Sequence, residues 1–481
     1  MSNYQLLLPQ CTLLMGVLVL ALFEIVDKKF HHYQGWVVHM IALSLAMIQQ
    51  TLLYRLPASL YGTGGMILDG TTQLFSLSVL LLSILIQINR RAGKYSSQSQ
   101  TAILTLGITF FSLFAIQSNR VLFSVTSVLA MIWLSHGVLA TETKRKEESN
   151  LIYSGIIRGV IFLVVGTLLV TLCMSIFGES QMDEIQRVIV RGRLRQGPVF
   201  VVEVLILFLG ALVLGAPPFG GLLGRARNHA SWSLSMGLTG VFAIVGINIF
   251  IRWGLLVFTR PAIGVLELES LSGWNILTVI RVIAVVGLIL TPLFAILDRN
   301  VRGSLNFFIL NPFVQALFAA SFGQREILGG AMAQVIVAVI IIGLLISSFQ
   351  ALDFSPTASL SQWVAMGRVD VLTCLSIILA LSSAAGLAPF YGSYLMQKTL
   401  SINSAFAVVL LFNVVLSGFY VGRLITLAFQ KGGLHGNFAT VSRSQKIWFT
   451  VQFIALIFMG IFWQPLYKYG AYSIRQFFGE T

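Results

Sequence analysis

GAPPFGG at Gly215–Gly221 and GLAPFYG at Gly386–Gly392 each interrupt a long apolar run with glycine and proline. Both residues stop a helix, glycine through backbone freedom and proline through its missing N–H and its ring. Each stretch therefore predicts a membrane helix that breaks partway along. A break inside the hydrocarbon layer frees backbone groups that only protein or a polar cavity satisfies. Two breaks spelled so similarly, far apart in the chain, ask for one explanation.

The chain around them is built for a membrane. Of 481 residues, 57% are hydrophobic and only 10% charged, where a soluble domain carries about 25% charged residues. Mean hydropathy is +0.88, and apolar runs of about 20 residues, enough to cross a ~30 Å hydrocarbon core, recur from end to end. The expectation is an all-α polytopic membrane protein with about fourteen transmembrane helices, from 5–26 to 447–466, and no large soluble domain. The first run, Leu6–Val26, lacks a basic leader and a small-residue cleavage site, so it reads as a retained span.

The breaks fall in span seven (198–223) and span twelve (370–394). An odd number of intervening steps reverses direction across the membrane, and matched broken helices in oppositely directed units mark an inverted repeat. The expected organisation is a three-helix segment 1–100, a five-helix repeat 101–254, an inverted five-helix repeat 275–429, and a C-terminal helix and tail 430–481. Helices 7 and 12 break at Pro217, Pro218 and Pro389. The alternative is two unrelated proline kinks or proline-marked span ends.

The net charge of +14 sits in short loops, which argues against a nucleic-acid face. Alternate loops hold most of it, including Lys28/Lys29, Lys144, Arg225/Arg227 and Arg299/Arg302. The positive-inside rule places these loops in the cytoplasm and both termini on the non-cytoplasmic side. Arg187, Arg191, Arg193 and Arg195 run against it, and Met182–Arg195 is expected to be a short amphipathic surface helix or a partner contact. Cys11, Cys173 and Cys374 are scattered without metal-ligand spacing. No phosphate loop, dinucleotide fingerprint, zinc motif or nucleophile–histidine–acid set is found, and no cofactor is expected.

Several stretches carry a resemblance when taken in order. They are MILDGTTQLFSLSVLLL (66–82), LFLGALVLGAPPFGGLLGRARNHASW (207–232), GLTGVFAIVGINIFIRWG (237–254), LDRNVRGSLNFF (297–308), GLAPFYG (386–392) and GFYVGRLITLAF (418–429). Over roughly 66–429 the chain resembles the antiporter-like membrane subunits of respiratory complex I, Mrp-type cation/proton antiporters and membrane-bound hydrogenases. Length and span count are closest to the subunit called N of bacterial complex I. The resemblance implies a non-catalytic membrane-arm subunit of a proton- or cation-translocating, NADH–quinone oxidoreductase-type assembly in a bacterial inner membrane. Its partners would be other polytopic subunits, with a peripheral redox subunit elsewhere in the complex.

The departures matter as much. The family's pump uses a glutamate in span five and lysines or other titratable groups in spans seven, eleven and twelve. Here the first two positions fall near Val128 and on Val213, span eleven holds nothing titratable, and the last falls near Met396. The chain reads as a divergent member whose usual channel residues are largely lost. Two alternatives stay open: the membrane subunit of a two-part inorganic-carbon transporter with a zinc-containing soluble partner, and a non-conducting structural subunit.

Ionisable residues inside membrane segments are functional candidates by default. Glu203, Lys398 and His136 are the proton-path candidates. Against that role, Glu203 also reads as an interfacial carboxylate, Lys398 as a snorkelling lysine and His136 as a packing residue. Asp69, Arg252, Asp298, Arg302 and Arg423 read as structural charges. Arginine stays protonated and pins helices instead of shuttling protons, and Asp298 and Arg302 stand four apart, as an i,i+4 helix pair does.

Overall fold

The computed structural model describes residues 7–26, 32–54, 66–92, 99–142, 145–190, 196–219, 223, 230–257, 260–262, 265–267, 276–352, 363–364, 367, 370–430 and 443–474. The first half contains α1 (Leu8–Val26), α2 (His32–Tyr54), α3 (Gly70–Ala92), α4 (Ser99–Gln117), α5 (Val121–Glu142), α6 (Arg145–Phe177), the short α7 (Met182–Val190), α8 (Gln196–Leu214) and α9 (Trp232–Asn248). A π-helical turn (Ile249–Leu256) continues α9, and a small antiparallel hairpin of β1 (Arg260–Ala262) and β2 (Val265–Glu267) follows. The second half contains α10 (Ile276–Leu297), α11 (Val301–Phe308), α12 (Asn311–Ala320), α13 (Arg325–Ala351), α14 (Val371–Ala384), α15 (Tyr391–Ile402), α16 (Ala407–Phe429), α17 (Arg443–Ile461) and α18 (Trp463–Ser473). The architecture is helical, with the hairpin as a minor exception.

Eleven helices among the described residues are long and apolar enough to cross a membrane, or up to twelve if the bent α17–α18 pair is one span. The number is lower than the expected fourteen, and the breaks explain most of the difference. At 1.5 Å per residue a helix needs about 20 residues to span. The apolar pieces Pro198–Leu214 and Val371–Ala384, which precede the two breaks, stop short of that length.

Hydropathy does not decide which helices lie inside: α6 is the most apolar span and lies at the rim, whereas the α11–α12 span is the least apolar and is buried. In a membrane an apolar face packs against lipid tails as well as against protein. Every residue of α9 is buried, and the apolar windows of α13 and of the α11–α12 span are each 94% buried. In α1, α6 and α16 the share is 28%, so these form the rim. Close approach inside the bundle depends on missing side chains: a Cβ at Gly246 would stand 2.4 Å from the backbone nitrogen of Leu214, at the end of α8.

The loop that ran against the charge rule folds in part as an amphipathic helix. α7 places Met182 and Ile185 in the core, and Asn119 Nδ2 donates to Asp183 Oδ1 at 2.5 Å. Arg187 stays exposed beside Glu184 at 2.5 Å. Arg191, Arg193 and Arg195, like Lys28, Lys29, Lys144, Arg225 and Arg227, lie outside the described residues. At the other end of the chain, α18 turns 78° from α17 and crosses α13, where a Cβ at Gly329 would stand 2.6 Å from Ala471 backbone atoms. Its last turn reaches the start of α3, where a Cβ at Gly70 would collide with the Ser473 carbonyl oxygen.

Candidate functional site

The two breaks have the same local shape. α8 ends at Leu214, Gly215 follows with φ of 73°, and the peptide Pro217–Pro218 is cis. α14 ends at Ala384, Gly386 has φ of 73°, and the peptide Ala388–Pro389 is cis. Positive φ is the region that glycine occupies without steric penalty, which gives both stretches their leading glycine. Pro217 is buried, whereas Pro218 and Pro389 are exposed. The first break is described only to Phe219, which packs edge-on against Phe208 at 5.8 Å.

Beyond the first break, the turn Ile249–Leu256 is π-helical, with the Val257 N–H donating to the Arg252 carbonyl at 3.2 Å. A π turn re-aims side chains within a helix, and this one carries Arg252. Its Nη2 stands 3.1 Å from Asp69 Oδ2, with side-chain exposures of 4% and 2%. Asp69 also caps α3, because Oδ1 accepts the Thr72 N–H at 2.7 Å and the Thr71 hydroxyl. One carboxylate thus satisfies an orphan N–H at a helix start and neutralises a buried guanidinium. Next to the turn, Asn248 is fully buried with neither amide atom hydrogen-bonded among the described residues.

The second break is lined by amides. Gln334 Nε2 donates to Gln315 Oε1 at 3.4 Å, Gln315 Nε2 to Asn413 Oδ1 at 3.3 Å, and Asn413 Nδ2 to Asn311 Oδ1 at 2.8 Å. Asn311 Nδ2 then donates to the Ala384 carbonyl at 2.8 Å, and Asn413 Nδ2 also reaches the Leu288 carbonyl at 2.6 Å. The Ala384 oxygen is one of the carbonyls that the end of a helix leaves without an intrahelical partner. All four amides are at most 1% exposed. The chain tethers α10, α12, α13 and α16 to the last turn of α14. A Cβ at Gly386 would stand 2.9 Å from Gln315 Nε2, and one at Gly392 would stand 3.1 Å from Gln315 Oε1. Gln334 Oε1 and Ser383 Oγ remain buried without hydrogen-bond partners among the described residues.

The positions at which the resemblance would place channel groups are packed with apolar side chains. Val128 and Val213 are each 1% exposed and Met396 is 6% exposed. Glu203 is 5% exposed on α8, twelve residues and about 18 Å of helix before Gly215. Lys398 is exposed near the end of α15, with Nζ 5.9 Å from the Tyr394 ring centre. The structure does not draw Glu203 and Lys398 into one constellation. His136 is buried, and its Nδ1–H faces the Ile132 carbonyl at 2.9 Å. A carbonyl only accepts, so Nδ1 carries the proton and Nε2 is left as an acceptor.

The charges at the start of span ten differ from the expected i,i+4 pair. α11 begins at Val301 with Asn300 as its cap, so Asp298 lies before the helix, where it accepts the Asn300 N–H at 2.9 Å. Arg302 is not a loop cation: it is fully buried, donates to the Ala230 carbonyl, and sits 4.3 Å over the Trp232 ring. Trp232 stacks on Phe349 at 4.7 Å. Arg423 is exposed and donates to the Ile296 carbonyl at 3.0 Å, at the end of α10, where a cation suits the helix dipole. No group of three or more metal-ligating side chains occurs among the described residues.

No family model matches the chain, and no curated protein matches its sequence. Solved structures do. A chain of the membrane-bound sulfane sulfur reductase, an archaeal respiratory membrane complex, is similar with a TM-score of 0.81 at 16% identity, covering 100% of this chain and 98% of that one. A chain of respiratory complex I from Thermus thermophilus is similar at 0.72 and 13% identity, covering 96% and 98%. A chain of the Mrp complex from Dietzia sp. is similar at 0.76 and 13% identity, covering 98% of each. The fold is that of the antiporter-like membrane subunits, along the whole chain.

Proposed function

We propose that the chain is a membrane-arm subunit of a complex I-like assembly that moves protons or cations, and that its own half-channels no longer carry the ion. The observation that carries this reading is the amide chain from Gln334 to Ala384. Carboxamides do not titrate in the accessible pH range, so a chain of them holds a broken helix together without offering a site that gains and loses a proton. The apolar packing of Val128 and Val213 supports the same reading in the first half. There the Asp69–Arg252 pair acts as a pin between the start of α3 and the π turn.

On this reading the residues 101–254 and 275–429 are two oppositely directed five-helix units, and the matched glycine geometry at Gly215 and Gly386 is what supports it. The assembly sits in a bacterial inner membrane with both termini of this chain on the non-cytoplasmic side. Energy enters through a peripheral redox subunit, since no catalytic motif is found in the sequence. Purification in mild detergent with identification of bound chains tests the proposal. Other polytopic subunits together with a redox subunit are expected. A single large zinc-binding partner would replace this reading with the inorganic-carbon transporter, and recovery of the chain alone would overturn both.

A further inference from the structure

A groove of about 970 Å³ opens where α18 crosses the start of α13 and the end of α15. Its wall is aromatic. Tyr394 stacks on Trp463 with ring centres 3.4 Å apart, and Tyr467 stands edge-on to both at 6.0 Å. Its rim is basic: Arg325, Lys398 and Lys468 line it against one acid, Glu326. Lys398 and Lys468 are exposed, and Arg325 is the first residue of α13, where a helix start adds positive potential.

An apolar lane leads to this groove. Val451, Ile454, Phe458 and Ile461 are 52%, 58%, 57% and 57% exposed. They recur at helical spacing along α17, on one face. Phe462, 54% exposed, ends the lane at the bend, and Trp463 opens the groove wall. Aromatic side chains with an apolar body and a polar edge belong at the membrane–water boundary, and basic pockets at that boundary suit anionic lipid head groups.

We propose that this groove is a binding site for an anionic phospholipid, with the phosphate between Lys398, Lys468 and Arg325 and an acyl chain laid along α17. The lysines supply point charges to the phosphate, and the aromatic wall shields the glycerol region from water. The excess of cations over acids selects an anionic over a zwitterionic head group. The exposed apolar lane selects a lipid over a free anion. In this account Lys398 serves at the rim of the bundle, as a lipid anchor.

Native mass spectrometry of the full chain, incubated with phosphatidylglycerol and phosphatidylcholine of matched acyl length, tests this. Preferential retention of phosphatidylglycerol is expected, with the preference lost in the Lys398→Gln/Lys468→Gln double variant and kept in Arg187→Gln, which removes an exposed cation elsewhere. Both target lysines are exposed, so the double variant should melt at the parental temperature. Equal retention of the two lipids by the parent chain, or an unchanged preference in the double variant, would overturn the proposal. A third arm adds inorganic phosphate: if it blocks phosphatidylglycerol and is itself retained, the groove belongs to a soluble anion and the lipid assignment fails.

Discussion

Arg252 Nη2 lies 3.1 Å from Asp69 Oδ2, and both side chains are almost fully buried. Removing one partner of such a pair leaves an uncompensated charge inside the protein. Asp69→Asn keeps an acceptor for the Thr72 N–H but removes the negative charge. It is expected to destabilise the chain by about 3–5 kcal/mol, read as a lower melting temperature in detergent. Adding Arg252→Met should recover a large part of that loss. Equal stability of Asp69→Asn and the parent would show that the pair pins nothing.

The amide chain makes a second prediction. Asn311→Leu leaves the Ala384 carbonyl at the end of α14 without its donor, and leaves Asn413 Nδ2 without the Asn311 acceptor. An unsatisfied buried polar group costs about 1–3 kcal/mol. Gln334→Leu removes only the terminal donor, whose Oε1 has no partner among the described residues, and should cost less. Thermal melting of the two variants side by side checks the order.

Glycine positions separate along the same lines. At Gly386, φ is +73° and a Cβ would stand 2.9 Å from Gln315 Nε2, whereas Gly418, inside α16, meets nothing within 4 Å. Gly386→Ala is expected to be destabilising. Gly418→Ala should stabilise by up to about 1 kcal/mol, the helix-propensity difference. Melting temperatures that move in the same direction would contradict the assigned backbone at the break.

Much of this architecture was legible in the sequence. Glycine and proline mark the breaks at Gly215 and Gly386 because their effect is local, and hydropathy located the helices because a bilayer demands length. Hydropathy finds fourteen apolar runs where the length of the helices alone gives eleven or twelve spans, because apolar sequence continues through a break that shortens the helix. The bend between α17 and α18 had signals in Gly460 and Pro465, one before it and one in the first turn of α18. Gln315, Gln334, Asn311 and Asn413 were not legible as a group: each is a single polar residue in its own apolar run, and only packing brings them together. The partnership of Asp69 with Arg252 has the same character, as it joins helices far apart in the chain. Asp298 and Arg302 had helical spacing, but the helix starts too late to use it.

On the proposed function the chain keeps the antiporter-like fold without a working proton path of its own. The most direct test is redox-driven proton uptake by the purified parent assembly in proteoliposomes, with this subunit carrying Glu203→Gln and Lys398→Met together. Normal assembly and an unchanged ratio of protons moved to electrons transferred are expected. A reduced ratio in a fully assembled complex would contradict this reading and would place a functioning path through these two residues.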